Sequence, residues 1–271
     1  MRPLPQTFRR YVAMGDSSTE GLGDPVIDGV GGGWSRRLAA RLALQGELAY
    51  ANLGVRGRTT REIRQQQLDA ALTFAPDLVT WFAGTNDVIR PRFNLAEVLD
   101  DMREIQRACV ASGAITLTFT LPDLTPLLPI ARLLAPRIHA MNDGVRRICA
   151  DTGGLLVDFA AHAPVAIDPR LWCEDRIHAN TLGHARITEA LSEALQLPGS
   201  SGVWREPLPA LAPPNLWQRA RIETRWARCH LLPWIWEGMT RGDESHPTTD
   251  TVQARVLTSY SSTTNRPPFI Q

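Results

Sequence analysis

Five short apolar segments alternate with longer amphipathic ones between residues 11 and 159, and this alternation restricts the fold more than any other feature of the sequence. The short segments have the length and composition of β-strands. They are YVAM (11–14), ELAYAN (47–52), DLVTWFA (77–83), AITLTFTL (114–121) and LLVDF (155–159). Apolar strands separated by helices are typical of a parallel sheet that is covered on both faces. We therefore expect an α/β sandwich with five parallel strands.

The segments that follow these strands have helical length and periodicity. They run from Trp34 to Leu44, Thr59 to Phe74, Leu95 to Ser112 and Ile130 to Ala150. In the second segment, Thr59 and Glu62 have the spacing of a capping box, and the apolar residues that follow share one face. A last helix, NTLGHARITEALSEALQL, is expected to begin near Asn180 or Thr181 and to stop before Pro198.

The composition changes after Leu197, and this change predicts the domain organisation. A chain of 271 residues suits one domain plus an extension. We expect an α/β domain over residues 1–197, a linker and helical extension over 198–241, and a disordered tail over 242–271, where Ser, Thr and Pro are frequent.

The helical extension contains a segment rich in Trp and Arg, residues 216–236. We expect it to pack on the core with Trp217, Trp226 and Trp234 inward and the arginine heads in water. Peripheral contact with a membrane is the less favoured alternative.

Composition excludes several classes of function. The net charge of +1 gives no field to attract nucleic acid, and all 29 basic residues are arginine, so lysine Schiff-base chemistry is excluded. The four cysteines are far apart and form no C-x-x-C pair, which argues against a zinc site or a disulfide framework. With no apolar stretch of about 18 residues and no recognisable signal peptide, we expect a cytoplasmic protein. The sequence indicates no oligomeric state.

Polar residues cluster where the expected strands end and before the last helix. Because parallel strands end at one edge of a sheet, these loops should meet there. They are GDSS with Ser17, NLGVRGRTT with Gly54 and Gly57, GTND with Asn86, and CEDRIHANTLGH with Asp175 and His178. Together they supply a hydroxyl, a glycine amide, a side-chain amide and an Asp/His pair, which are the groups that acyl transfer through a serine requires.

The D-x-x-H spacing allows a turn to bring the Asp175 carboxylate onto Nδ1 of His178, leaving Nε2 to face a serine. Ser18 is a weaker candidate than Ser17 for the nucleophile. Gly54 is likewise a weaker candidate than Gly57 for the amide donor. A metal site built on Asp175, His178 and His184 is not favoured, because no H-E-x-x-H motif or third carboxylate supports it.

The four blocks GDSS, NLGVRG, GTND and DRIH, in this order, resemble those of the SGNH (GDSL-type) hydrolase family over residues 10–196. The resemblance implies a flavodoxin-like three-layer α/β/α sandwich with strand order 2-1-3-4-5. It also implies a nucleophile at Ser17, a base at His178 oriented by Asp175, and an oxyanion hole formed by Ser17, Gly57 and Asn86. Two residues depart from the usual pattern, since Ser18 replaces a leucine and Arg56 precedes Gly57 where a small residue is common. Arg56 could crowd or charge the entrance to the site.

The function implied is a serine esterase that hydrolyses carboxylic esters through an acyl-enzyme, without metal or cofactor. Short- to medium-chain esters, acetylated sugars and lysolipids all fit this chemistry. The Leu/Pro-rich segment 121–138 is either a buried loop and helix or an apolar wall for the acyl chain. An acyltransferase or thioesterase at the same site, and a non-catalytic flavodoxin-like binding domain, remain as alternatives.

Overall fold

The computed structural model describes residues 4–5, 7–27, 29, 31–128, 132–162 and 166–233. Its centre is one sheet of five parallel strands in the order β2-β1-β3-β4-β5, which confirms the predicted architecture and strand order. The strands are β1 (Arg10–Gly15), β2 (Ala49–Asn52), β3 (Leu78–Phe82), β4 (Ile115–Phe119) and β5 (Leu155–Val157). The predicted tail, residues 242–271, lies outside the described residues.

Each of the predicted helical segments contains a helix, and two short helices occur in addition. The helices are α1 (Ser17–Glu20), α2 (Gly33–Ala43), α3 (Thr60–Thr73), α4 (Thr85–Ile89), α5 (Leu95–Ala111), α6 (Ala135–Thr152), α7 (Thr181–Ala194) and α8 (Leu216–Trp226). Helix α2 packs against α7, and α5 packs between α3 and α6. The short helices α1 and α4 were not predicted, because a segment of four or five residues is too short to show helical periodicity.

Local sequence signals explain where the long helices begin. The capping box of α3 is present: Thr59 Oγ1 accepts from the Glu62 amide at 3.4 Å, and Glu62 Oε2 accepts from the Thr59 amide at 2.8 Å. Asn180 caps α7 through its side-chain oxygen, as expected. Helix α6 begins at Ala135 rather than Ile130, with a proline in its first turn, where the missing N–H costs nothing.

The C-terminal extension makes fewer contacts with the body than expected. Trp204 is buried and packs on Phe159 at 5.4 Å, but no residue of α8 is buried. The expectation that Trp217 points inward is wrong, because its side chain is 86% exposed. Trp226 is half-buried, and Trp234 lies outside the described residues. Among the helices that the structure describes, none has the length and apolarity needed to cross a membrane.

The end of β1 is held in place by Gln67 of α3, which is buried. Its side-chain oxygen accepts from the Gly15 amide at 2.8 Å, and its side-chain nitrogen donates to the Gly15 carbonyl at 2.9 Å. This pair of bonds attaches α3 to the last residue of β1, two positions before Ser17. Gln67 was not singled out in the sequence, where it is one of three consecutive glutamines.

The Gln67→Leu variant tests this attachment. It leaves the buried Gly15 amide without an acceptor, so we expect the free energy of unfolding to fall by about 2 kcal/mol. Urea unfolding followed by circular dichroism measures the loss. The matched control is Gln66→Leu, at an exposed position on the same helix, where a change below about 0.5 kcal/mol is expected. Equal effects of the two variants would contradict a role for the Gly15 bonds.

Candidate active site

Ser17 is the first residue of α1, directly beyond the end of β1. The chain turns sharply at Gly15, where a Cβ atom would lie 2.1 Å from Thr19 Oγ1 and 2.6 Å from the Phe82 carbonyl oxygen, so only glycine fits. Asp16 caps the helix by accepting from the Ser18 amide at 3.0 Å. This turn leaves the half-buried Ser17 side chain at the carboxyl edge of the sheet.

Ser17, His178 and Asp175 form one chain of hydrogen bonds. Ser17 Oγ lies 2.9 Å from His178 Nε2, and His178 Nδ1 lies 2.7 Å from Asp175 Oδ2. The other carboxylate oxygen of Asp175 accepts from the amides of Ile177 (2.9 Å) and His178 (3.0 Å), which closes the turn between the two residues. The structure thus brings together the three residues for which the sequence predicts catalytic roles, and those roles remain a prediction.

The environment of Asp175 keeps its carboxylate ionised. Burial alone would raise the pKa of this group, but the hydrogen bond from His178 and the two amides outweigh burial and lower the pKa below its usual value. An ionised Asp175 accepts the Nδ1 proton of His178. In a neutral imidazole, Nε2 is then an acceptor facing the Ser17 hydroxyl, which is the arrangement a general base needs.

Asn86 lies between the loop of Ser17 and the loop of Gly57. Its side-chain nitrogen donates to the Arg58 carbonyl at 3.0 Å and to Asp16 Oδ2 at 3.3 Å. Gly57 is exposed, with φ +78° in the turn after β2, and it is connected to the other site residues through Arg58. The predicted oxyanion donors therefore belong to adjacent loops, although Gly57 itself touches neither Ser17 nor Asn86 in the hydrogen-bond network of the described residues.

Gly54 is the alternative to Gly57 as the amide donor, but its amide is already engaged. Its amide already donates to Asn52 Oδ1 at 2.9 Å, and a Cβ atom on Gly54 would lie 2.5 Å from the Glu20 amide nitrogen. Gly54 is therefore a glycine because the β2 loop packs directly on the backbone of α1. The occupied amide favours Gly57 over Gly54 as the donor to a substrate.

The remaining alternatives also have identifiable partners. Ser18 Oγ accepts from Trp34 Nε1 at 3.3 Å. His184 is buried, which lowers its pKa; its Nδ1 accepts from the Trp34 amide and its Nε2 donates to the Leu22 carbonyl. Arg56, which could crowd the entrance, instead forms an ion pair with Glu20 at 2.9 Å. Within the described ranges, no three acidic, His or Cys side chains are grouped as metal ligands.

Asp16 is the other carboxyl group at the site, and its environment contrasts with that of Asp175. Its burial raises the pKa to about 7, although the Ser18 amide and the nearby His178 favour the ionised form. The neighbouring Asp87 carboxylate raises the pKa further. Asp16 braces the turn at Ser18 and also accepts from Asn86, a contact that the sequence could not predict because the two residues are 70 positions apart.

An apolar pocket opens beside Ser17 and His178. Its volume is about 90 Å³, and aromatic and aliphatic side chains dominate its wall. These include Phe82, Phe119, Leu121, Phe159, Trp172 and Trp204. Arg186 also contributes to the wall, but its guanidinium donates to the carbonyl oxygens of Val203 and Glu206. The pocket therefore presents a mainly apolar surface beside Ser17 and His178.

The apolar-wall interpretation of segment 121–138 is supported for its beginning, since Leu121, Pro122 and Leu124 line the pocket. The contributions of Trp172 and Trp204 were not predicted. Neither residue stands in a motif, and their approach to Ser17 depends on how α7 packs against the sheet, which no local pattern encodes.

Comparison with known proteins identifies the family. The sequence profile described as GDSL-like Lipase/Acylhydrolase family matches residues 13–186, which is more than half of the chain. No curated protein matches the sequence significantly.

Several solved structures share the fold. A catalytic mutant of Axe2, an acetylxylan esterase from Geobacillus stearothermophilus, is 19% identical, with a TM-score of 0.60 over 74% of this chain and 98% of its own. LAE5, an alpha/beta hydrolase enzyme from the metagenome of Lake Arreo, Spain, is 23% identical, with a TM-score of 0.59 over 72% and 99%. TesA is 23% identical, with a TM-score of 0.58 over 69% and 98%. These likenesses cover the α/β domain and establish its fold.

The contrast between the carboxyl groups predicts a pH-dependent stability. Because the pKa of Asp16 is about 7 in the folded chain and 3.8 without burial, its folded form holds the proton more tightly. This contribution to stability is full below pH 4 and is lost as pH rises through 7. The Asp16→Asn variant lacks it. We expect the unfolding free energy of the wild type, relative to the variant, to fall by roughly 2 to 3 kcal/mol between pH 5 and 8.

Urea unfolding of both proteins at several pH values measures this difference. Taking the difference between the two proteins removes the titration of every group that they share. A difference that stays constant from pH 5 to 8 would contradict a raised pKa for Asp16.

Proposed function

Because the chain belongs to the GDSL-like lipase/acylhydrolase family and is a carboxylic ester hydrolase, we propose that it cleaves short- to medium-chain esters by double displacement at Ser17. The observation that carries this proposal is the continuous hydrogen-bond chain from Ser17 through His178 to Asp175. A hydroxyl hydrogen-bonded to an imidazole that a carboxylate orients is the arrangement that activates a serine nucleophile.

In the proposed reaction, Ser17 Oγ attacks the ester carbonyl carbon while His178 Nε2 takes the hydroxyl proton. Asp175 stays ionised and stabilises the imidazolium that forms. When the tetrahedral intermediate collapses, the bond to the alcohol breaks and His178 returns the proton to the leaving oxygen. Water, activated by the same imidazole, then hydrolyses the ester bond between the acyl group and Ser17.

The developing oxyanion needs donors that are not committed elsewhere. The amides of Ser17 and Gly57 donate no hydrogen bond to any residue described in the structure. Asn86 has two acceptors, and its longer contact, to Asp16 at 3.3 Å, is the one it would exchange for the oxyanion. One such donor contributes roughly 10²- to 10³-fold to turnover in related chemistry.

The pocket beside Ser17 supports an apolar acyl group. Its cavity of about 90 Å³ is lined mainly by apolar side chains, which suits a hydrocarbon chain. Phe82 and Phe119 stack at 4.2 Å and form a rigid part of the wall. A shape fixed by packed aromatic rings should discriminate acyl chains by length.

The Ser17→Ala variant tests the nucleophile. Without Oγ no acyl-enzyme forms, so we expect kcat on p-nitrophenyl butyrate to fall by at least about 10³-fold. A fluorophosphonate probe, which reacts covalently with an activated serine, should label the wild type and leave the variant unlabelled. Steady-state rates and the mass of the labelled protein provide the two measurements.

Ser18→Ala is the matched control, since it removes the same atom from the next residue. It should retain activity within about tenfold, because Ser18 Oγ contacts Trp34 and not His178. Loss of activity in Ser18→Ala with retention in Ser17→Ala would reverse the assignment. Labelling of neither serine in an inactive wild type would favour the binding-domain alternative.

The Ala166→Leu variant tests the acyl pocket. Ala166 lines the pocket, so added methyl groups should occupy space meant for substrate. We expect kcat/KM for p-nitrophenyl hexanoate to fall by about tenfold relative to the acetate ester. The control is Ala161→Leu, at an exposed position, where the ratio should not change. An unchanged ratio in Ala166→Leu would contradict acyl binding in this pocket.

A further inference from the structure

Helix α8 lies outside the segment that matches the family, yet it docks on the loop that carries Asp175 and His178. Among the described residues, its hydrogen bonds and ion pairs with the body fall on three consecutive residues of that loop. Arg225 pairs with Glu174 at 3.0 Å, Trp226 Nε1 donates to the Asp175 carbonyl oxygen at 3.4 Å, and Glu223 pairs with Arg176 at 2.7 Å.

Arg176 is the centre of this docking. Its two terminal nitrogens donate to both carboxylate oxygens of Glu223, at 2.9 and 2.7 Å. One of them also donates to the Leu127 carbonyl at 2.9 Å, in the segment that follows the pocket wall. The guanidinium lies 4.6 Å from the centre of the Trp226 ring. The bidentate pair and the stacking both need a planar guanidinium, which a lysine does not offer.

The backbone of Arg176 is also unusual. Its φ is +63°, in the left-handed region that residues other than Gly, Asn and Asp seldom adopt. This conformation belongs to the turn in which Asp175 accepts the Ile177 and His178 amides. A strained backbone persists where its surroundings fix it. Here the side chain, only 16% exposed, is held on three sides by Leu127, Glu223 and Trp226.

We propose that Arg176 is a positioning residue for the Asp175–His178 pair, and that α8 acts through it to hold the catalytic loop against the wall of the acyl pocket. This inference rests on the proposed function, because it assigns His178 as the base. Arg176 touches no reacting atom; it would act by keeping the turn closed, so that His178 Nε2 stays in reach of Ser17.

Two variants of the full-length chain separate the side chain from the turn. Arg176→Asn removes the guanidinium but tolerates a positive φ, so the turn remains accessible. Glu223→Gln weakens the same contact from α8 without any change in the loop. The matched control, Arg221→Gln, removes a charge at an exposed position of α8. Arg176→Lys tests rescue by charge alone.

The first measurement is hydrogen exchange at the Ile177 and His178 amides, which does not depend on activity. We expect about tenfold faster exchange in Arg176→Asn, a smaller increase in Glu223→Gln, and no change in Arg221→Gln. The double variant, Arg176→Asn with Glu223→Gln, should show the same exchange as Arg176→Asn alone, because both changes disrupt the same contact between Arg176 and Glu223. Arg176→Lys should rescue only in part.

The second measurement is steady-state hydrolysis. Displacement of the base should lower kcat by about tenfold in Arg176→Asn, while KM for a short ester changes by less than about threefold. A merely structural contact would alter the midpoint of thermal unfolding and leave kcat per folded molecule unchanged. Unchanged amide exchange in Arg176→Asn, or faster exchange with an unchanged kcat, would overturn the proposal. A wild type with no esterase activity would refute the proposed function, whereas unchanged amide exchange refutes only the role of Arg176.

Discussion

Parallel pairing of β1 with both β2 and β3 is the constraint on which the site depends. Parallel strands end at the same edge, so the loops after these three strands are neighbours before any side chain contributes. The last residue of β1, Gly15, pairs with Phe82 of β3. Three residues after Gly15, the hydroxyl of Ser18 accepts a hydrogen bond from Trp34 of α2. The contact of Ser17 with His178 spans 161 positions, and it forms because α7 packs on α2 beside that edge. The three side chains contact one another directly, but their positions depend on the strand order of the whole sheet and on the helices packed against it.

The two carboxyl groups of the site, Asp16 and Asp175, have pKa values that their surroundings shift in opposite directions. Asp175 accepts three hydrogen bonds and stays ionised, whereas burial raises the pKa of Asp16 to about 7. Asp16 accepts from the Asn86 amide, which is the proposed oxyanion donor, so an ionised Asp16 would place negative charge near the proposed oxyanion. The raised pKa of Asp16 would reduce the repulsion between these two charges. Environments that push two pKa values apart are typical of sites in which one carboxylate supports a base.

The sequence predicted the elements of this structure well and their packing poorly. Strand order, the Thr59 capping box and the Asn180 cap have local or motif signals, and the structure contains all of them. The contacts of Gln67, the partner of Asn86 and the exposure of Trp217 have none, since each depends on which distant segment lies opposite. The Trp- and Arg-rich pattern of α8 fits a buried helix face, but it also fits an exposed helix whose tryptophan ring stacks on one arginine. In this structure the Trp226 ring stacks on the guanidinium of Arg176.

The boundary that composition suggests at Leu197 does not separate the site from the extension. Trp204 lies beyond it, yet this residue is buried, lines the apolar pocket and packs on Phe159. Farther on, Trp226 and Glu223 reach the loop between Asp175 and His178. The segment after the family match therefore contacts both the pocket that would hold the acyl group and the loop that would activate Ser17. Arg176 also binds the Leu127 carbonyl, three residues beyond Leu124 of the pocket wall. Under the proposed function, one guanidinium would therefore join the segment after the pocket wall, the loop of His178 and helix α8, and only α8 lies beyond the family match.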